Sequence, residues 1–408
     1  MLQGPISVGF GSLWPNYDLL IKSWKEILML IAGIIVLFIL YKERRFKVLH
    51  DPIIIAIGLY AILHLILIIF INNNFKSILA GLAIDLRYVL FFSLVYIAAK
   101  LYPKYQKTFV KVGIVGALIV LVFALLQVFI LPIDILKYIG YSTKTISPYL
   151  TVDQNDNFIR INSTLRGPNP LGAYAGIVLT LIVAAFAKYK VKKDKLTLTV
   201  VAILSIGGLV ALWASYSRSA LVGTVLAIFI VLAVAIVPRL SRKSLLVSGV
   251  VLIIGLSVGS LLIVNNLQFA SNVLLHENPS GDSSINSNEG HIVSLKTGFD
   301  QFTHQPFGSG VGSTGSASLY GKKPMIIENQ YLFTAHEIGW LGLAIFIFIF
   351  GMIIVRLWNL RKNWLALGVL ASGVGMAAIG LLLPVWVDDT ISIIWWGIAA
   401  IALQSIQD

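Results

Sequence analysis

The chain alternates between long apolar stretches and short polar segments. Most of the apolar stretches run for roughly 18–25 residues, the length that a helix needs to cross the hydrocarbon core of a bilayer. The pattern predicts an all-α polytopic membrane protein with eleven helices at 19–41, 53–72, 77–100, 109–131, 170–188, 196–216, 219–238, 245–264, 336–356, 364–384 and 390–406. We expect residues 1–408 to form a single integral-membrane domain.

Basic residues between these stretches predict the orientation of the chain. Of the 31 Lys and Arg residues, 19 lie in five clusters at 42–47, 100–111, 188–195, 239–243 and 356–362. The clusters follow every second apolar stretch, which is the positive-inside pattern. The protein is therefore predicted to lie in the plasma (inner) membrane, with its C-terminus in the cytoplasm and its N-terminus outside. Because residues 1–18 show no cleavable signal pattern, a twelfth helix ahead of the first is an alternative.

Composition excludes several classes of protein. The chain is 58% hydrophobic and only 12% charged, and its mean hydropathy is +0.88, which no soluble domain requires. The net charge of +13 comes largely from the clusters, which match anionic lipid headgroups, so we expect membrane lipids rather than nucleic acid as the partner. The absence of cysteine excludes disulfides and thiolate metal sites.

Two long segments are predicted on the outer side, at 131–168 and 265–335. The second is a large extracytoplasmic loop between helices 8 and 9, and we expect it to carry the active site. It contains a Gly-rich turn from Pro306 to Gly312 and an amphipathic helix at about 292–302. Its first part, residues 265–290, is predicted to act as a lid that orders with substrate.

Known cofactor and metal motifs are missing from the sequence. There is no Gly-rich ATP loop, no His-Glu-x-x-His helix, no Cys/His zinc spacing and no Asp-x-Asp. No cofactor or metal is therefore expected. If the protein is an enzyme, its substrate must bring its own activated bond across the membrane. Polyprenyl-diphosphate-linked sugars do so, because the lipid diphosphate is a good leaving group.

Outer arginines are the candidates for holding a diphosphate. Arg218 lies in the short turn between helices 6 and 7, and Arg160 and Arg166 precede helix 5. Arginine can form bidentate hydrogen bonds with phosphate, although each of these could instead pair with an acid or extend to the interface. For Arg87 the preferred interpretation is an ion pair with Asp85.

Glu328 is the candidate general base. It stands among apolar neighbours, which predicts a raised pKa suited to proton transfer. The alternative is a loop carboxylate paired with Lys322 or Lys323. His336 and Glu337 begin the predicted ninth helix, where Glu337 suits the positive end of the helix dipole and is interpreted as structural.

Several segments together resemble the O-antigen ligase and Wzy-type polymerase family of bacterial membrane enzymes. The family's His-Asn-x-Tyr-Leu and Glu-x-Gly-x-x-Gly-Leu patterns are similar to Glu328-Asn-Gln-Tyr-Leu332 and Glu337-Ile-Gly-Trp-Leu-Gly-Leu343. Its glycine turn resembles residues 305–312. Its Ser-Arg-Gly/Ser-Ala turn and Pro-Asn-Pro-Leu-Gly helix start are matched by Ser217-Arg-Ser-Ala220 and Pro168-Asn-Pro-Leu-Gly172.

This chain departs from the family pattern at two positions. The family's catalytic histidine aligns with Glu328, and the arginine that opens its loop helix aligns with His291 or is absent. By resemblance, the histidine activates the acceptor and two arginines hold the lipid diphosphate. The resemblance therefore implies Glu328 as the base and Arg218 as the retained arginine. The remaining substrate-binding candidates are Arg160, Arg166, Asn169, His291, Lys322, Lys323, Asn329, Tyr331 and His336.

Taken together, these features predict a metal-independent, inverting membrane glycosyltransferase on the outer face of the membrane. Its partners would be a polyprenyl-diphosphate-linked glycan donor and a glycan or glycolipid acceptor. Whether it is a ligase or a polymerase stays open. The alternative is a transporter or flippase of lipid-linked saccharides, which should place charged residues within its helices. His64 is the main polar residue within a predicted helix interior.

Overall fold

A computed structural model describes residues 1–71, 73–152, 155–188, 194–239, 241, 287–321 and 323–404. Its α-helices are α1 (Gln3–Leu13), α2 (Asp18–Lys22), α3 (Trp24–Glu43), α4 (Pro52–Phe70), α5 (Phe75–Leu101), α6 (Gln106–Phe129), α7 (Pro168–Lys188), α8 (Lys195–Ala214), α9 (Arg218–Ala235), α10 (Ser287–His304), α11 (Gly315–Ser318), α12 (Gln330–Asn359), α13 (Trp364–Ile379) and α14 (Asp389–Ala402). Two strands, β1 (Tyr149–Val152) and β2 (Asn155–Ile161), precede α7.

The predicted polytopic helical architecture is confirmed. Within the described residues, eight helices are long and apolar enough to cross a membrane, namely α3 to α9 and α12. Helices α13 and α14 are apolar but shorter, with 16 and 14 residues. The predicted helix at 245–264 and residues 265–286 of the predicted lid (265–290) lie outside the described residues, and the last four residues of that lid form the start of α10.

Polar capping residues set several helix starts. Asp51 accepts a hydrogen bond from the Ile53 amide at the start of α4, where Pro52 occupies the first helical position. Asn363 and Asp388 cap α13 and α14 in the same way. The predicted start at residue 336 was wrong by six residues, because Asn329 caps α12 and its first turns lie in polar sequence.

The end of α13 also differs from the prediction. The helix ends at Ile379, and the apolar residues that follow it, through Pro384, form turns instead of a further helical turn. Gly380 to Leu383 are as hydrophobic as the helix before them. Hydropathy therefore could not reveal where the helix ended.

Small residues allow α7, α9 and α13 to pack closely at the centre of the bundle. A Cβ atom on Gly223 would lie 2.8 Å from the Gly375 carbonyl oxygen, and Gly176 is covered by the Thr224 side chain. Without a hydrophobic driving force between helices in lipid, such close approach supplies the packing energy. Within the described residues, these three helices approach one another closely.

Aromatic side chains join α5, α12 and α14. Trp396 lies 5.1 Å from Tyr88 and 5.6 Å from Trp395, measured between ring centroids. Trp386, which precedes α14, lies 5.2 Å from Trp395, and all three tryptophans are buried. This cluster fixes the last helix against the interior of the bundle.

Hydrogen bonds define two opposite ends of the bundle. At one end, called here the loop end, Arg160 donates to the Ser215 carbonyl and the Trp386 amide donates to Gln330. At the other, called the basic end, Arg356 pairs with Asp51 at 2.8 Å and Arg239 donates to the Ala187 carbonyl. The described residues of the predicted outer segments lie at the loop end, and the described residues of the predicted basic clusters lie at the basic end.

The segment between α6 and α7 departs from a purely helical fold. Strands β1 and β2 form an antiparallel hairpin, with Leu150 opposite Arg160. Ser163, just beyond β2, donates its hydroxyl to the Val120 carbonyl and its amide to Gln127 of α6. The hairpin is therefore anchored on the loop end, and it presents Arg160 there.

We predict that Gly375→Leu destabilises the protein by about 1–3 kcal/mol, because the new side chain would overlap the backbone of α9. The measurement is the thermal unfolding midpoint in detergent. Gly351→Leu is the matched control, since a Cβ at Gly351 meets nothing within 4 Å. Equal melting temperatures for the two variants would contradict this account of the packing.

Candidate active site

Glu328 and His291 form an ion pair at the loop end. Nδ1 of His291, on α10, lies 2.5 Å from Oε2 of Glu328, which precedes α12 by two residues. Both side chains are about one-third exposed. The Glu328 amide donates to the Ser294 hydroxyl at 2.8 Å, so α10 and residue 328 are held together by backbone as well as side chain.

The hydrogen bond from His291 lowers the pKa of Glu328, and it outweighs burial, which acts in the opposite direction. The expectation of a raised pKa was therefore wrong. The apolar neighbours of Glu328 in the sequence did not indicate its pKa, because His291, the residue that lowers this pKa, lies on α10. Pairing with Lys322 or Lys323 is not needed to explain the carboxylate: Lys323 is exposed, and Lys322 lies outside the described residues.

Asn329 and Tyr331 anchor the start of α12. The Asn329 side chain accepts hydrogen bonds from the amides of Tyr331 and Leu332 and donates to the Leu381 carbonyl at 2.8 Å. The Tyr331 hydroxyl donates to the Ala377 carbonyl. The polar groups that the sequence predicted to bind substrate thus hold Glu328 in a fixed position relative to α13.

The glycine turn packs against a break in α12 at Gly339. Gly339 has φ of 72°, a left-handed conformation that favours glycine. The interruption leaves backbone groups that the turn satisfies: the Trp340 amide donates to the Pro306 carbonyl, and the Ser309 amide donates to the His336 carbonyl. Backbone groups at membrane depth need such partners.

The buried carboxylate of Glu337 binds the same turn. It accepts hydrogen bonds from the Gly312 amide at 2.5 Å and from the Thr314 amide at 3.0 Å. Gly308, Gly310 and Gly312 all have positive φ, which lets the turn fold tightly around this position. The interpretation of Glu337 as structural agrees with these contacts, although its partners are loop amides rather than those of its own helix.

His336 is buried, with 3% of its surface exposed. Its Nδ1 atom has no hydrogen-bond partner within the described part of the chain. The ring lies one residue before Glu337, in the segment where the turn enters the helix break. This position places it beside the glycine turn rather than on the outer surface.

Arg160 and Asn169 contact one another. A guanidinium nitrogen of Arg160 lies 2.6 Å from the Asn169 side-chain oxygen, and a second donates to the Ser215 carbonyl at 2.8 Å. Asn169 also lines a cavity of about 170 Å³ together with Pro384 and Asp388. The start of α7 and the segment before α14 therefore meet at one cavity, and Arg160 of the hairpin binds a residue that lines it.

A buried carboxylate, Asp389, organises the nearby cations. It contacts Lys25, and it lies 3.8 Å from Arg166 and 3.9 Å from Arg87. Arg166 is half exposed, whereas Asp389 is buried. Arg166 is consequently held at the surface of this cluster, close to the cavity that Asp388 lines.

The predicted pairing of Arg87 with Asp85 was wrong. Arg87 contacts Glu26, Asp389 and the Val387 carbonyl, while Asp85 lies 3.5 Å from Nε2 of His64. Residues two apart on a helix face different directions, which explains why the neighbouring charges do not meet.

Arg218 is the first residue of α9 and is half-buried. Ser217 precedes it as the N-cap, and Ser215, which accepts the hydrogen bond from Arg160, lies three residues earlier. Gly172 of α7 packs against Ser215 and Ser217. Arg218 therefore starts its helix at the same end of the bundle as Arg160 and Asn169.

Residues 200–347 match the family model described as O-antigen ligase. This match supports membership of the O-antigen ligase family. The match covers just over a third of the 408 residues of the chain. The matched region runs from α8 into α12 and includes Arg218, His291, Glu328 and Glu337. A comparison with curated proteins finds no match.

The matched region does not include every part of the site. Arg160, Arg166 and Asn169 precede it, and Asp388 and Asp389 follow it. The segment at 380–388 joins the two parts, because Gln330 binds the Trp386 amide and the Gly380 carbonyl while Asp389 contacts Arg166. The structure thus links the start of α12 to the cationic cluster through one short connection.

Sequence reasoning missed Lys25, Gln330, Asp388 and Asp389. Adjacent acids at the outer end of an apolar helix were a usable signal, because charged residues beside a membrane-spanning segment are costly and usually paired. Lys25 and Gln330 gave no comparable signal. Their partners are 364 and 56 residues away in the sequence.

We predict that His291→Ala weakens the attachment of α10 to α12 at neutral pH. The lowered pKa of Glu328 means that the ion pair stabilises the fold above the ordinary pKa of glutamate, and that this contribution disappears as the pH falls through the lowered value. The measurement is amide hydrogen exchange of Ser287–His304. We expect the exchange to accelerate several-fold, which corresponds to a loss of about 1 kcal/mol in the free energy of local opening after allowance for solvent screening.

His304→Ala provides the control for this exchange experiment, because His304 is an exposed histidine on the same helix. In His304→Ala, amide exchange around His291 should stay close to that of the wild type. Identical exchange in His291→Ala and wild type at pH 7 would show that the pair does not hold α10 in place.

Proposed function

We propose that this O-antigen ligase family member is a membrane glycosyltransferase that joins an undecaprenyl-diphosphate-linked glycan to an acceptor hydroxyl. The reaction would take place on the extracytoplasmic face of the plasma (inner) membrane, with inversion and without a metal ion. The observation that carries the proposal is the His291–Glu328 pair, which places two proton-handling groups at the end of the bundle where the arginines lie.

The pair can remove the acceptor proton. Nδ1 of His291 lies against Oε2 of Glu328, which leaves the other carboxylate oxygen as the proton acceptor. In the proposed step, Glu328 takes the hydroxyl proton while the acceptor oxygen forms a bond to the anomeric carbon. The hydrogen bond from His291 stabilises the carboxylate form of Glu328, which is the form that accepts a proton.

The leaving group is undecaprenyl diphosphate. As the bond between the anomeric carbon and the diphosphate oxygen breaks, the electron pair stays on the diphosphate, and its negative charge needs cations. Arg218 is proposed as the principal one, with Arg166 and Arg160 assisting and Lys322 and Lys323 as further candidates. Asp389 and Asn169 would position Arg166 and Arg160, respectively.

The acceptor and sugar site is proposed at the turn from Gly308 to Gly312, beside His336. Asn329 and Tyr331 contribute by fixing the start of α12, since their polar groups bind α13 and the segment after it. The acceptor would be a glycan or glycolipid. A ligase and a polymerase differ in that acceptor alone, and the proposed chemistry is the same for both.

Transport of a lipid-linked saccharide remains a second candidate because of one observation. Asp85 and His64 are buried inside α5 and α4, so the helix interiors contain more charge than the sequence pattern indicated. Buried ionisable residues within membrane helices often mark transport pathways. Proteoliposome assays distinguish the two functions, because a transporter moves the lipid-linked donor across the bilayer without forming a glycosidic bond.

We predict that Glu328→Gln reduces glycan transfer by roughly 10²–10⁴-fold, because the amide cannot accept the hydroxyl proton. The measurement is transfer from a polyprenyl-diphosphate donor in proteoliposomes with EDTA present throughout. Glu43→Gln is the control, since Glu43 lies at the basic end. Full transfer by Glu328→Gln would remove Glu328 as the base, and donor translocation without transfer would favour the transporter.

For Arg218→Ala, the expected loss is roughly 10²–10³-fold in kcat, since one charge-stabilising group for the leaving diphosphate is removed. Arg218→Lys should recover only part of the rate, because an ammonium group cannot form the bidentate contact. Arg44→Ala, at an exposed position of the basic end, is the control. Full activity of Arg218→Ala at normal expression would contradict the diphosphate role.

A further inference from the structure

A long apolar groove opens between α6, α7, α8 and α14. It encloses a cavity of about 520 Å³, and side chains such as Ile114, Leu181, Val200 and Ile398 line it. Lys111 and Thr197 are polar members of the lining, and both lie near the ends of their helices at the basic end. The cavity is apolar along most of its length and charged at one end, and a phospholipid has the same distribution of apolar and charged groups.

Four further cations gather at the same end of the bundle. The Lys188 amino group, at the end of α7, is repelled by Arg239, Arg361 and Lys362. Arg361 stacks on the Trp358 ring at 4.5 Å, and Arg239 donates to the Ala187 carbonyl. These contacts hold Arg361 and Arg239 in place, and neither contact is with an acidic side chain.

The groove and the cations lie near the same ends of α7 and α13. Phe186 and Trp364 line the groove and stand two residues from Lys188 and Lys362, respectively. Asp194, the acid between α7 and α8, is engaged in capping α8 through Thr197. A phosphate group would relieve the repulsion among the cations, and the guanidinium of Arg361 suits phosphate geometry.

We propose that this groove and its basic rim bind an anionic phospholipid, with the acyl chains in the groove and the phosphate among Lys188, Arg361 and Lys362. Basic pockets between membrane helices attract such headgroups. The site is distinct from the proposed donor site, because Arg160, Arg166 and Arg218 lie at the loop end. The proposal does not depend on the proposed glycan transfer.

The test uses the purified full-length protein and native mass spectrometry with equal amounts of phosphatidylglycerol and phosphatidylcholine of matched chains. We expect the wild type to retain phosphatidylglycerol preferentially. Lys188→Gln with Lys362→Gln should reduce that preference by roughly fivefold for each cation removed. The control pair, Lys42→Gln with Lys47→Gln, removes the same charge from exposed positions of the basic end and should leave the preference unchanged.

Ala185→Trp provides an independent variant, because it fills the groove without changing the charge. It should reduce retention of both lipids, while an unchanged melting temperature shows that the fold is intact. Equal retention of the two lipids by the wild type would overturn the proposal. So would an equal effect of the two charge-removal pairs, or displacement of phosphatidylglycerol by a polyprenyl phosphate at equal concentration.

Discussion

The break in α12 is the constraint on which the loop end depends. A helix interrupted near the membrane must find partners for the backbone groups that it releases, because lipid offers none. Here the glycine turn supplies them, and the Glu337 carboxylate in turn binds two amides of the same turn. A Cβ on Gly81 of α5 would overlap the Gly312 backbone, so the turn is also packed against a second helix. The loop end is thereby joined to the membrane helices by main-chain contacts rather than by side chains alone.

The charged groups at this end are arranged more for position than for stability. Burying an ion pair costs desolvation energy that its mutual attraction offsets only in part. Asp389 nevertheless lies buried among Lys25, Arg87 and Arg166, and the last of these extends to the surface. The arrangement holds the Arg166 guanidinium at a fixed, half-exposed position. Glu328 differs from this cluster because its one described ionic partner, His291, comes from the loop helix and both side chains remain partly exposed.

Periodicity predicted the described membrane helices to within a few residues, but it failed where polar and apolar residues did not mark the boundary. The start of α12 was missed because its first turns contain Gln330, Thr334, His336 and Glu337, which belong to the loop in composition and to the helix in structure. The hairpin before α7 was not anticipated, because short strands in a polar segment leave a weak pattern. Candidate residues were found by type and by resemblance, whereas their partners were not.

The sequence by itself determined the class of the protein: apolar stretches of membrane-spanning length, basic clusters at alternate ends and a set of family motifs are all local properties of the chain. The tertiary structure alone decided which charges meet. It paired Glu328 with His291, and Arg87 with Glu26 and Asp389 rather than with Asp85. The physical reason is that hydropathy and helix length act over consecutive residues, whereas an ion pair depends on which helices pack together. That packing is set by close contacts such as Gly223 with Gly375, which no spacing within one segment records.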